Sequence, residues 1–153
     1  MVIAVIGHEG SGTQWLTWSL LLHPDVDRTV HISYPVSWRG SPYRPLSESA
    51  PPEAPVLVMM RDATCSALSN QHRGFFLVDP SRRNRLRASD ELWRDLYAST
   101  GRVVFASYEG LIEEGERYMS VILQQLGLDP RRFDWDAWWT KHAPSDGNAK
   151  YIS

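Results

Sequence analysis

The chain contains a single cysteine, Cys65, so no disulfide can form within it, and a lone thiol suits a reducing compartment. Long apolar runs are absent too: none approaches the ~20 residues that a bilayer-spanning helix requires. The opening segment, residues 1–6, is too short for a secretory signal and lacks its basic n-region. These absences predict a soluble, cytoplasmic protein with no membrane partner. Nor is there an excess of charge of one sign. Sixteen Lys and Arg face eighteen Asp and Glu, for a formal net charge of −2, so no basic field points to nucleic acid and none is expected as a partner. Repeats, low-complexity tracts and heptads are missing as well. At 153 residues, 42% hydrophobic and 22% charged, the chain has the composition of one globular domain, 1–153, with a real core. Seven tryptophans are many for this length, and some are expected at a ligand site rather than in the core.

The chain is organised around its start. Residues 1–6 form a short apolar run rich in Val and Ile, residues 7–13 a turn with three glycines, and residues 14–22 a largely buried helix. A strand, a glycine loop and a helix in that order hold an anion. The loop lets backbone N–H groups converge, the glycines keep Cβ atoms out of the way, and the helix N-terminus adds partial positive charge. The loop approaches a Walker A sequence without being one. Gly7, four residues and Gly12 fit, but Thr13 stands in the lysine position and Gln14 in that of the Mg²⁺-binding hydroxyl. The pattern predicts a loop for a phosphate-like group whose chemistry needs no metal.

Along the rest of the chain, residues 27–34 read as a second strand, with Val30 and Ile32 on one face and His31 and Ser33 on the other. Residues 36–55 carry Pro42, Pro45, Pro51, Pro52 and Pro55 with Trp38, Arg39, Tyr43 and Arg44, and read as a structureless lid or acceptor loop spanning about residues 35–55. Val56 to Met60 is an uninterrupted apolar run, as in a central parallel strand. It ends in Arg61-Asp62, with Asp62 as N-cap of a short helix to residue 70. Residues 81–99 read as a helix with Leu86, Leu92, Trp93 and Leu96 inward, residues 102–108 as a fourth strand, and residues 110–126 as one long helix closed by Gly127. A short helix at 133–139 and a polar tail, 143–153, follow. Strands alternating with helices predict an α/β fold with a central parallel sheet of about four strands and helices on both sides.

Three stretches carry a resemblance. The glycine loop ends in Ser11-Gly12-Thr13-Gln14-Trp15-Leu16. The central strand ends in Arg61-Asp62, with Ser69 eight residues after the arginine. The last strand ends in Ser107-Tyr108-Glu109-Gly110-Leu111 and leads to a helix ending Leu126-Gly127-Leu128. In that order and spacing they resemble the sulfotransferase family, which uses 3′-phosphoadenosine 5′-phosphosulfate (PAPS). The resemblance covers residues 2–128 and implies a three-layer, P-loop-NTPase-like fold. It further implies that Gly10, Ser11, Gly12, Thr13, Gln14 and Trp15 hold the 5′-phosphosulfate and that Arg61 and Ser69 bind the 3′-phosphate. No metal takes part. The family carries Lys or Arg immediately before Ser-Gly-Thr, whereas this chain has Gly10, so Lys150 in the tail, Arg39 or Arg44 is the candidate replacement cation. The base for the incoming hydroxyl is sought first in His31, near the end of the second strand, and then in His8 and Glu9 in the loop. The acceptor is a small molecule or a glycan with a hydroxyl or amine. The competing readings are a P-loop nucleotide kinase or NTPase and a catalytically silent nucleotide-binding module. Nothing in the chain specifies an oligomeric state.

Overall fold

The computed structural model describes residues 1–37, 41–72, 82–142 and 148. Four strands, β1 (Val2–His8), β2 (Arg28–Tyr34), β3 (Val56–Met60) and β4 (Val103–Ser107), form one sheet in the order β2-β1-β3-β4, and every neighbouring pair is parallel. The apolar runs that predict these strands are the ones buried within them: Ile3, Val5, Ile6 and Leu57 are inaccessible to solvent. The chain leaves β1 toward β2 on one side and returns to β3 on the other. The order therefore reverses at β1, and the crevice beyond the carboxyl ends of β1 and β3 is where open α/β sheets bind ligands.

Helices cover both faces. On one, α1 (Thr13–Leu20), α5 (Tyr108–Glu114), α6 (Glu116–Gln125) and α7 (Trp135–Lys141) pack with Leu16, Leu20, Leu111, Ile122 and the fully buried Trp138 on Ile3, Val5, Leu57 and Val104. On the other, α2 (Leu46–Ser49) and α4 (Arg82–Ala98) pack with Leu46, Ala88, Leu92 and Leu96 on Ala4, Ile6, Ile32, Val56 and Val58. Helix α3 (Ala63–His72) follows β3 directly. Its N-cap is Asp62, whose carboxylate accepts from the Cys65 N–H at 2.9 Å.

Three sequence expectations change. The 36–55 stretch is not structureless. It contains α2, and Leu46, Ala50 and Ala54 are buried in the second core, while the Asp95 carboxylate of α4 accepts from the Leu46 N–H at 2.9 Å and from the Tyr34 hydroxyl. Pro45 and Pro51 stand on either side of α2 in this packed segment. The long helix at 110–126 is two helices: Gly115, at φ +51°, breaks it between α5 and α6, a backbone state that glycine alone adopts cheaply. On α4 the inward stripe is Ala88, Leu92 and Leu96, whereas Leu86 and Trp93 are exposed. At about 100° per residue Ala88, Leu92 and Leu96 share the face toward the sheet, and Leu86 and Trp93 fall together on one flank of it.

Candidate functional site

The loop after β1 turns tightly between β1 and α1. Gly10 and Gly12 have φ of +80° and +93°, where any side chain is strained. The Ser11 N–H donates to the His8 carbonyl at 3.0 Å, and the Glu9 N–H to the Tyr34 carbonyl at 3.1 Å, which pins the loop to the ends of β1 and β2. Gly12 caps α1 and has no side chain with which to satisfy the helix's first N–H groups. Those groups and the helix dipole remain to attract negative charge. The Ser11 side chain is 2% exposed, and its hydroxyl has no hydrogen-bond partner among the described residues. A buried polar group left unpaired costs about 1–3 kcal/mol, which a ligand oxygen would recover.

Arg61 joins this loop to the end of β3. Its Nη1 donates to the Gly10 carbonyl at 2.9 Å, its Nε to the Asn148 side-chain oxygen at 2.7 Å, and its guanidinium carbon lies 4.4 Å from the centre of the Tyr108 ring. Behind it, the Glu109 carboxylate accepts from the Asp62 N–H at 3.0 Å, the Asn148 amide at 2.9 Å and the Ser107 hydroxyl at 3.1 Å. Burial alone would raise the Glu109 pKa. The donors around it outweigh that and hold the carboxyl below its ordinary value. The three resemblance-bearing stretches thus meet in one place, through Gly10, Arg61 and Glu109.

Gly10 itself has no room for a larger residue. A Cβ built there would lie 2.6 Å from Asn70 Oδ1 and 2.9 Å from the Ser66 carbonyl, both on α3. The expected cation before Ser-Gly-Thr is therefore excluded by the way α3 packs on the loop. Of the proposed replacements, Arg44 is a surface residue 3.8 Å from Glu48. Lys150 and Arg39 lie outside the described residues, as does most of the 143–153 tail.

The other predicted residues fall on two sides of the sheet. His31 Nε2 is 2.7 Å from the Thr13 hydroxyl and 3.1 Å from that of Ser33, with the Tyr43 ring edge-on at 5.0 Å between centroids. Since His31 registers with Val5, it lies with Thr13 and Ser33 on the α1 face, whereas Tyr43 packs with the second core. Burial lowers the His31 pKa and favours the neutral ring. Gln14 is exposed, and Trp15 is half-buried with its indole N–H donating to the His142 carbonyl at 2.9 Å.

On the opposite face, between α3 and α4, a cavity of about 440 Å³ opens beside the loop and takes in His8, Glu9 and Ser11 together with Arg61. His8 Nε2 is 3.3 Å from the Ser89 hydroxyl. Ser66, Asn70 and Ser89 line this cavity and were not legible as site residues. The available signal was the helical spacing of Ser66 and Asn70 after Arg61-Asp62. Ser69 is buried but does not line the cavity. At about 100° per residue it sits one turn from Ser66, on the flank of that face away from Asn70 and Ala67. Among the described residues no group of His, Cys, Asp and Glu has the arrangement of a metal site, and no helix is long and apolar enough to cross a membrane. Comparison with family models and with curated protein sequences finds no match.

Proposed function

We propose that the chain is a small sulfotransferase with a three-layer, P-loop-like fold, moving a sulfuryl group from PAPS to a hydroxyl or amine. The observation that carries this reading is the buried, unpartnered Ser11 hydroxyl in a glycine loop that Arg61 ties to the end of β3. Residues 10–15 hold the 5′-phosphosulfate: N–H groups at the start of α1 and the Ser11 hydroxyl donate to its oxygens. Arg61 grips the 3′-phosphate through charge-assisted hydrogen bonds, with Ser69 nearby in sequence on α3. Thr13 in place of the Walker lysine, and Gln14 in place of the metal anchor, suit sulfuryl transfer, which requires in-line geometry and stabilised oxygens but no Mg²⁺.

Calorimetry with 3′-phosphoadenosine 5′-phosphate, the desulfated nucleotide, against ATP with Mg²⁺ tests the reading. The bisphosphate is expected to bind and ATP–Mg²⁺ to bind far more weakly. Binding of ATP–Mg²⁺ with none of the bisphosphate would overturn it in favour of a kinase or NTPase. Binding of the bisphosphate with no transfer to any acceptor would mark a silent nucleotide-binding module.

A further inference from the structure

We propose that His31 takes up a proton when an anion enters the glycine loop, and that its charge, passed on through the Thr13 hydroxyl, replaces the cation the loop lacks. The anion is a phosphate or phosphosulfate group, and the inference rests on the anion-holding part of the sulfotransferase reading.

Thr13 stands where a Walker A loop has its lysine, and it opens α1 directly after the left-handed Gly12. Its side chain and that of Ser11 converge over Gly7: a Cβ there would lie 2.5 Å from Ser11 Oγ and 2.9 Å from Thr13 Cγ2. Both residues are buried, and the Ser11 hydroxyl is unpartnered among the described residues. A threonine hydroxyl brings no charge to this place, but the imidazole behind it can. His31 Nε2 lies 2.7 Å from Thr13 Oγ1 and 3.1 Å from Ser33 Oγ, and the two hydroxyls are 3.3 Å apart. His31 is therefore one hydroxyl removed from the loop.

The groups that face the ring bring no counter-charge. They are Thr13 from α1, Ser33 from β2 and Tyr43 from the segment before α2, and the register partner on β1 is Val5. Burial and the Glu9 carboxylate hold the Tyr43 phenol above its ordinary range, so it is neutral near pH 7. With the loop empty, burial disfavours the imidazolium and holds His31 below its ordinary value. An anion held by Ser11, Thr13 and the first N–H groups of α1 supplies the counter-charge, and an opposite charge this near favours the protonated ring.

The protons balance as follows in the empty and filled loop. When the neutral ring carries its proton on Nδ1, Nε2 accepts from the Thr13 hydroxyl, whose hydrogen is then turned away from the loop. A proton taken from solvent at Nε2 reverses that bond. Nε2–H donates to Thr13 Oγ1, and the Thr13 hydrogen is released to an anion oxygen. An imidazolium has no lone pair left for the proton of an incoming hydroxyl, so His31 is a positioning residue and not the base.

Nitrogen-15 NMR of the histidine rings in the full chain tests this, with the His31 signals identified by their loss in His31→Gln. The probes are 3′-phosphoadenosine 5′-phosphate and, separately, pyrophosphate. The free ring should titrate below the ordinary histidine value of about 6.5 and carry its proton on Nδ1. With either anion bound it should titrate with a midpoint at least one pH unit higher. By linkage, calorimetry should then show the affinity for the bisphosphate rising between pH 8 and pH 6 by about tenfold more in the parent than in Thr13→Val, which severs the relay, while Thr13→Ser keeps the parent's dependence. If either anion binds and the His31 ring stays neutral, or if Thr13→Val keeps the parent's pH dependence, the inference is overturned and the sulfotransferase reading is untouched. If pyrophosphate binds and charges His31 but the bisphosphate does not bind, that reading falls and the inference stands. If neither anion binds, both fall.

Discussion

Restoring the cation that the loop lacks should damage the protein rather than repair it. In Gly10→Lys the new Cβ would enter 2.6 Å from Asn70 Oδ1 and 2.9 Å from the Ser66 carbonyl, at a backbone φ of +80°. The left-handed backbone costs a non-glycine residue about 1–2 kcal/mol. Crowding against a helix backbone adds about 1–3 kcal/mol, because the Ser66 carbonyl cannot turn aside as a side chain can. The sum is a destabilisation of about 2–5 kcal/mol, or very roughly 4–20 °C in Tm for a domain of this size. Gly10→Ala should show most of the loss, since the Cβ and the φ are common to both. Asn70→Ala removes one of the two obstructing atoms, so a double-mutant cycle with Gly10→Ala should give a combined loss smaller than the sum of the single losses. Urea unfolding with a constant m-value reads all five proteins, the parent included. If Gly10→Lys is as stable as the parent, or if the cycle is additive, the packing of α3 on the loop is not what excludes the cation.

Two further outcomes follow from the site. Ser11→Ala should leave stability within about 0.5 kcal/mol of the parent or raise it, because the hydroxyl has no partner to lose, yet weaken the bisphosphate by about tenfold on calorimetry; a stability loss above 1 kcal/mol with unchanged affinity would show that the hydroxyl is structural. Stability should also fall as pH drops from about 6.5 toward 5, since His8 and His31 have lowered pKa values in the folded chain and the unfolded chain takes up protons first. Each histidine contributes at most about 1.4 kcal/mol per pH unit, and His31→Asn should flatten the slope measured by urea midpoints over that window; an unaltered slope would remove His31 from the account.

The sheet was legible because its evidence is local. Each strand is a β-branched or apolar run ended by a glycine, a proline or a charged residue, and all four lie within about two residues of their expected places. The meeting of Gly10, Arg61 and Glu109 was legible only as three motifs in order; their contact depends on β1, β3 and β4 lying side by side, which sequence spacing does not encode. Less was legible where the decision is tertiary. Leu46, Ala50 and Ala54 look like scattered apolar residues among prolines until α4 lies above them. Leu92 and Trp93 are adjacent and both border the cavity, but Leu92 is buried in the second core whereas Trp93 is half-exposed. Gly115 interrupts a helical pattern that continues on both sides of it, and only its φ of +51° reveals the break.

The tryptophans near the loop have an optical consequence. Trp15, on the first turn of α1, lies 6.5 Å from Trp138, and Trp138 is in turn 5.6 Å from Trp135 and 5.0 Å from Trp139. Indoles this close share excitation, so light absorbed by one ring is redistributed through the set. Trp15 borders the loop at one end of that set, and Trp138, fully buried with its N–H on Ser19, holds its centre rigid. A charge arriving at the loop would perturb Trp15 first and the coupled emission with it, so the molecule carries an unlabelled spectroscopic reporter of what enters its glycine loop.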